Sequence, residues 1–469
     1  MSNPDASIEL EATARLSLRE QLAGVARYWC GATARKAVVA LADQVIVSGA
    51  SFFTTVLIGR ICGPRELGFY SLAFAIVVLL YTVQQSVVTV PYTIYVHRLP
   101  REVRRDYSGG ILAHCGLLAM ASAAGLACAA VLGMLGVGPA ELTPVFGVLA
   151  ATVPFLLLRD FGRRLAFADL RINRAFWLDA VVVGLQLLLV GGLAVGGRLS
   201  AAAAFVAAGV SCGLVAVAWL YSVRSQFALG WNSTRQAWQQ NWGFSKWVLA
   251  DQTATTLNTY VMHWLLAILF GIAATGLFAA CATILCVLNP IVLGLNNVLM
   301  PRVAIAIAAG SAAELRRVLW KSTLVITATT ALFCGTLLLF GPRIMGLLYG
   351  AAYAGQSQTV SVLAIDMLVS SLAMAPAYAL WARERSRTLF QVRVLRIAIA
   401  VVVSLCLAAS LGPIAAAYGL LVGSIVATTL TCWLHYKMSA MNGTHRPLQP
   451  MGGMDAGAME SDRIASTNI

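Results

Sequence analysis

The chain has 469 residues, of which 59% are hydrophobic and only 11% charged, and its formal net charge is +14 at pH 7. Soluble domains are about one-quarter charged, so with a mean hydropathy of +0.80 this chain lacks the polar surface that water requires. A soluble globular protein is excluded, and lipid is the solvent.

Residues 1–36 are polar, with Glu9, Glu11, Arg15, Arg19, Glu20, Arg27, Arg35 and Lys36, which argues against a cleavable signal peptide. Within this tail Ile8, Leu16, Leu22, Val25 and Trp29 stand among charges over 8–29, the pattern either of an interfacial helix lying on the membrane or of a frayed terminus. Apolar runs of roughly 20 residues follow, each long enough to cross a hydrocarbon core of about 30 Å as a helix. Spans are predicted at 37–59, 67–96, 109–135, 143–158, 176–197, 200–221, 246–270, 275–300, 319–341, 358–382, 390–411 and 414–436. The fold class is therefore an all-α polytopic membrane protein of about twelve helices. A first six-helix bundle is expected over 37–222, a cytoplasmic linker over 223–245 and a second six-helix bundle over 246–437. Residues 438–469, with Gly452, Gly453 and scattered charge, read as a disordered tail. The ten cysteines are spread singly with no metal-type spacing, and they read as small apolar packing residues.

Segments on the N-terminal side of the membrane hold 29 of the 33 Lys and Arg residues, and the other side keeps Arg60, Arg65, Arg198 and Arg343. The positive-inside bias then places both termini in the cytoplasm, where basic loops meet anionic headgroups. Nucleic-acid binding is the weaker explanation of the charge, because the arginines are divided among short loops.

The tripeptide Ala42-Asp43-Gln44 recurs as Ala250-Asp251-Gln252, an offset of 208 residues. The same offset carries Gly63 onto Gly271, Gly68 onto Gly276 and Tyr70 onto Phe278, in what is expected to be the turn between the first two helices of each half. With a two-residue slip Pro91 meets Pro301. Six spans separate the copies, so the halves are parallel repeats related by an axis along the membrane normal. On the first helix of each half the offset aligns two polar stripes. Gln44, Ser48, Ser51 and Thr55 stand at i, i+4, i+7 and i+11, and Gln252, Thr256, Thr259 and His263 occupy the matching positions. Such spacing draws one line down a helix face, and polar groups on that line need other helices or a wet cavity rather than hydrocarbon.

Helix packing by small hydroxyl residues explains the hydroxyls; the bulkier Gln and His at matched places favour a cavity lining. Asp43 and Asp251 flank the cytoplasmic ends of the stripes. An isolated ionised Asp inside a span costs roughly 2.5–3.5 kcal/mol, so each requires a cation such as Lys36 or Lys246, or a role toward substrate or a coupling ion. His263 is either a neutral core histidine or a group poised for proton coupling. Asp179 and Asp366 do not match under the repeat and read as local pairing, while Gln84, Gln85, Asn289, Asn296 and Asn297 add polar groups whose faces the sequence leaves open. Arg159, Arg163 and Arg164 follow the fourth predicted span, and Arg383, Arg385 and Arg387 follow the tenth. They hold topology, or form a basic rim that attracts a phosphate-bearing headgroup. No nucleophile elbow, phosphate-binding glycine loop or histidine pair at metal spacing occurs in the sequence, so neither an enzyme nor a bound cofactor or metal is expected.

The opening segment from Ala42 to Pro91, with its Gly63-Pro64-x-x-x-Gly68-x-Tyr70 motif, and the segment Phe340 to Tyr353, reading FGPRIMGLLYGAAY, resemble those of the polysaccharide (O-antigen type) flippases. These belong to the multidrug/oligosaccharidyl-lipid/polysaccharide (MOP) exporter superfamily. The likeness covers roughly 37–436 and implies a V-shaped, MATE-like pair of bundles in a bacterial inner membrane. It further implies alternating access, with an undecaprenyl-pyrophosphate-linked oligosaccharide as substrate and membrane lipids and polysaccharide assembly proteins as partners. A cation-coupled drug or metabolite antiporter of the same fold is the alternative. One departure is that neither the first nor the seventh span has Lys or Arg near its middle, so His263, or Arg60 and Arg98 at helix ends, would meet the pyrophosphate.

Overall fold

The computed structural model describes residues 32–137, 140–292, 312–383 and 385–442, with Leu299 and Val303 besides. The expected interfacial helix at 8–29, Pro301, Asn296, Asn297 and the tail beyond 442 lie outside the described residues. All regular structure among the described residues is helical.

One helical run, Ala32–Gln84, is divided at Gly63 into α1 (32–62) and α2 (64–84). Gly63 has φ +85°, a conformation open to glycine because it has no Cβ, and Pro64 then starts α2 where no N–H is needed. The helix α2 continues through a π turn at Gln85–Thr89 into Val90–Tyr95. The π turn relieves the conflict that Pro91 creates with the preceding turn. The first half is completed by α3 (Arg101–Met134), α4 (Thr143–Ala168), α5 (Ile172–Val195) and α6 (Ala201–Val223).

The second half begins with α7 (Trp231–Phe270) and turns at Gly271, again at φ +85°. It goes on through α8 (Ile272–Leu285, extended to 292), α9 (Ala312–Tyr349) and α10 (Ser357–Leu372 followed by Met374–Ala382), then α11 (Ser386–Leu411) and α12 (Ala415–Asn442). Nine stretches among the described residues are long and apolar enough to cross a membrane. Two of these, Val38–Arg98 and Arg387–Met438, each hold a pair of spans, while α7, whose most apolar stretch over 253–270 includes Asn258 and His263, is not among the nine. The chain is an all-α polytopic membrane protein of about twelve spans.

Three expectations need correction. The turn between the first two helices of each half is a single glycine, and Gly68, Tyr70, Gly276 and Phe278 lie inside α2 and α8. The segment expected as a linker is helical from Trp231 onward, and α7, with 40 residues, is about 60 Å long, roughly twice the hydrocarbon thickness. Finally, α4 runs to Ala168, so Arg159, Arg163 and Arg164 are helix residues rather than loop residues.

The two halves cross where the repeated glycines meet. A Cβ on Gly68 would lie 2.0 Å from the carbonyl oxygen of Ile272, and one on Gly276 would lie 1.8 Å from that of Pro64. Ile272 is the 208-offset equivalent of Pro64, so the contact is reciprocal, and only a residue without a side chain lets the backbones approach this closely. Beside it, Tyr353 donates its hydroxyl to the carbonyl of Gly59 at 3.2 Å, and Arg60 donates to the carbonyl of Leu347. All these contacts lie at the face opposite the termini, where one continuous core joins Ile58, Leu67 and Tyr70 of the first half to Met262, Phe278, Tyr349 and Tyr353 of the second. Toward the face that carries the termini the core divides. One cluster joins α2, α3 and α4 to Ala237 of α7 through residues such as Val88, Ile111 and Phe161, and another joins α9 and α10 to Leu299 and Val303 through Leu319 and Ala379. Among the described residues the halves thus share one core at the glycine crossing, and α7 also packs on the first bundle through Ala237 and through Asn241, which accepts from the Tyr107 hydroxyl at 3.1 Å.

Candidate functional site

The polar stripes lie on α1 and α7, the first helix of each half. On α1, Gln44 donates to the Ser48 hydroxyl at 3.1 Å, and Thr55, buried near the closed face, returns its hydroxyl proton to the carbonyl of Ser51 at 2.8 Å. On α7, Thr256 and Thr82 of α2 share a hydrogen bond of 2.8 Å between hydroxyl oxygens, so the second stripe touches the first bundle through α2. Thr259 is exposed, and Gln252 and Ser51 are half-buried. His263 is buried edge-on against Phe278, with ring centroids 5.2 Å apart, and packs α7 on α8 in the closed region.

The two matched aspartates have different surroundings. Asp43 is fully buried, and its carboxylate accepts from Arg163 Nη2 of α4 at 2.7 Å. The Nε of Arg163 donates to Asp179 of α5, and Arg159 pairs with the same carboxylate at 2.6 Å. Two carboxylates and two guanidinium groups thus close a network that ties α1, α4 and α5 together. Arg159, expected on a headgroup-attracting rim, is instead buried here, because α4 carries it into the packed end of the bundle. Neither aspartate takes the expected lysine. Asp251, with 41% of its side chain exposed against 1% for Asp43, accepts from Arg393 Nη1 of α11 at 2.7 Å, and the same nitrogen donates to the Thr255 hydroxyl at 2.7 Å. Asp179 and Asp366 make the expected local pairs, Asp366 with Ser424 and with Arg396 at 3.7 Å.

Arg393 and Arg396 were not among the expected site residues. Their position near the tenth-to-eleventh connection gives them the look of topology charges, yet they sit roughly 10 and 15 Å beyond the start of α11 and line a cavity inside the second bundle. The signal that could have found them is their i, i+3 spacing within an otherwise apolar run, which puts two cations on one helix face. Of the remaining arginines, Arg98 is exposed and lies over the Tyr95 ring at 5.9 Å. Arg383, half-buried after α10, keeps Nη1 buried with no partner. Gln84 is held in the first bundle by the Leu157 carbonyl at 3.0 Å. The described cysteines are all free thiols.

This architecture is similar to that of an inward-facing multidrug-resistance MATE-family transporter of the MOP superfamily, with a TM-score of 0.71 and 15% identity over 87% of this chain and 100% of that one. An outward-facing MATE-family transporter gives 0.62 with 12% identity over 88% and 96%. A MOP superfamily transporter from Pyrococcus furiosus, described as having a binding pocket of reverse polarity, gives 0.63 with 11% identity over 88% and 96%. The fold is that of MATE-family transporters of the MOP superfamily. The profile of the polysaccharide biosynthesis protein family matches residues 33–306, more than half of the chain. The chain belongs to that family. No curated protein matches it in sequence.

Proposed function

We propose that this transporter moves a lipid-linked oligosaccharide, joined to its carrier through a pyrophosphate, across a bacterial inner membrane by alternating access for polysaccharide or lipopolysaccharide assembly. The observation that carries the reading is the pair of matched polar stripes on α1 and α7, in two halves joined by a shared core and a reciprocal glycine crossing. The positive-inside bias puts the Asp43 and Asp251 ends of these stripes toward the cytoplasm, the side on which lipid-linked glycans are assembled. Family membership supports the glycan as cargo. In this reading Gln44, Ser48, Ser51, Gln252, Thr256 and Thr259 offer hydroxyl and amide partners to sugar, and opening the glycine crossing exposes them to the other side.

A cation-coupled antiporter of drugs or metabolites is the second reading, favoured by the half-exposed Asp251 carboxylate. Proteoliposomes distinguish the two. Transfer of a labelled lipid-linked glycan to the outer leaflet is expected, and efflux of a cationic dye without glycan transfer overturns the first reading.

A further inference from the structure

A cavity of about 260 Å³ lies inside the second bundle between α7, α10, α11 and α12, several times the ~30 Å³ share of one water. Arg393 and Arg396 form one wall, Asn258 and Thr428 offer an amide and a hydroxyl, and Tyr378 and Trp381 make an aromatic side. The carboxylates that neutralise the two guanidinium groups do not line it. Asp251 receives only Nη1 of Arg393. Asp366 stands 3.7 Å from Arg396 Nη2, beyond hydrogen-bond length, and takes its hydrogen bond from Ser424. Arg396 Nε is buried with no partner.

A guanidinium carries five N–H donors, so much of the donor capacity of both groups is uncommitted. A metal cation in this cavity would face two like charges, whereas an oxyanion would complete their hydrogen bonding in the forked geometry that arginine favours. The first bundle supplies the contrast. Its own cavity, lined by Arg163 and Arg164, has both guanidinium groups held at hydrogen-bond distance, Arg163 by Asp43 and Asp179 and Arg164 by Asp160 at 2.6 Å.

We propose that the second-bundle cavity is a phosphate-binding subsite in which Arg393 and Arg396 clamp the oxyanion while Asp251 gives up Arg393 to it. The subsite deepens the proposed function, and only the identity of the natural ligand rests on that reading; affinity for phosphate does not.

The test uses the full chain in phosphatidylcholine nanodiscs, with inorganic pyrophosphate titrated at constant ionic strength and thermal stability as the readout. A saturable rise in Tm is expected. Arg393→Gln combined with Arg396→Gln should weaken the apparent affinity at least tenfold, and Asp251→Asn, which frees Arg393, should strengthen it several-fold. An unchanged affinity in the double variant, or no saturable rise with the wild-type chain, overturns the proposal. Should the double variant not fold, Arg396→Lys keeps the charge but loses the fork, and an affinity equal to wild type then overturns it. Repeating the titration in phosphatidylglycerol nanodiscs identifies the source. A headgroup that occupies the subsite weakens pyrophosphate binding, and an equal affinity assigns the subsite to a phosphate other than that of bulk lipid. Glycan transfer that persists at the wild-type rate in the double variant sinks the subsite alone; pyrophosphate binding without glycan transfer by the wild-type chain sinks the proposed function alone.

Discussion

Replacing Gly68 with Ala sets a methyl carbon 2.0 Å from the Ile272 carbonyl oxygen, and replacing Gly276 sets one 1.8 Å from that of Pro64. Non-bonded contacts settle near 3.5 Å, so α2 and α8 must part by roughly 1.5 Å at their crossing. The atoms in the way are backbone and cannot rotate aside, and overpacking of this kind costs about 1–3 kcal/mol. The strain falls on the arrangement closed at this face and is relieved when the halves separate there. The equilibrium should therefore shift toward the separated state by roughly 5- to 150-fold. Labels at Arg198→Cys and Ala352→Cys, exposed positions of the two halves at that face, report the distance by pulsed electron paramagnetic resonance in a background free of native cysteines. Either Ala variant should move population to a longer distance, and the two together should fall short of the sum because they strain one crossing. Folded Gly68→Ala and Gly276→Ala proteins with the wild-type distance distribution would refute the reasoning.

The charge networks and the tyrosine contact make further demands. Arg163→Met leaves Asp43 and Asp179 short of their shared cation in a buried setting, a loss of about 3–5 kcal/mol, and recovery of monodisperse protein after detergent extraction should collapse. Asp251→Asn breaks a half-exposed pair, for which an effect of about 1 kcal/mol or less is expected, and the same measurement should find its recovery close to wild type. Tyr353→Phe removes the hydroxyl donated to Gly59, worth about 1 kcal/mol; in the distance assay it should act in the same direction as Gly68→Ala but more weakly.

The spans were legible because lipid leaves a chain few options. Every backbone group must be satisfied within a helix, so apolar runs and helices coincide, and the repeat of Gly63 at Gly271 reappears as two turns with the same φ of +85°. Helix ends were not legible where polar residues continue a helix beyond its apolar run, as at 159–168 and 231–245. Charge explains most of what the sequence hid at the site. Arg159, Arg163, Arg393 and Arg396 look alike in a count of basic residues. What separates a loop cation from one inside a bundle is a carboxylate on another helix, 16 to 142 positions away in the pairs with Asp179 and Asp251. Proximity across that distance is a property of packing, which periodicity along one helix does not encode. The stripes were legible as faces, but which helix each would meet was not, and Thr256 finds Thr82 on α2.

The divergence of the two halves follows from those same pairs. Duplication left an aspartate at one position, Asp43 and Asp251, yet in the first half the cations come from α4 and a second carboxylate from α5. In the second half α11, which occupies the place of α5, carries the cations, and α10, which occupies the place of α4, carries the carboxylate Asp366. Exchanging the sign of two neighbouring helices keeps each four-residue network balanced but changes where the charge faces. A cation between two buried carboxylates is locked from both sides and can only hold helices together, because removing either partner strands a charge. Where two cations on one helix face are each held by a single carboxylate from a different helix, the half-exposed carboxylate, Asp251, can be traded for another anion at little electrostatic cost. Two copies of the locked network would make a rigid pair of bundles with no place for a charged ligand to act. One locked and one exchangeable copy allow a ligand in the second half to alter how α7 is tied to α11 while the first half stays fixed, the differential interaction that any ligand-driven shift between closed and open states requires.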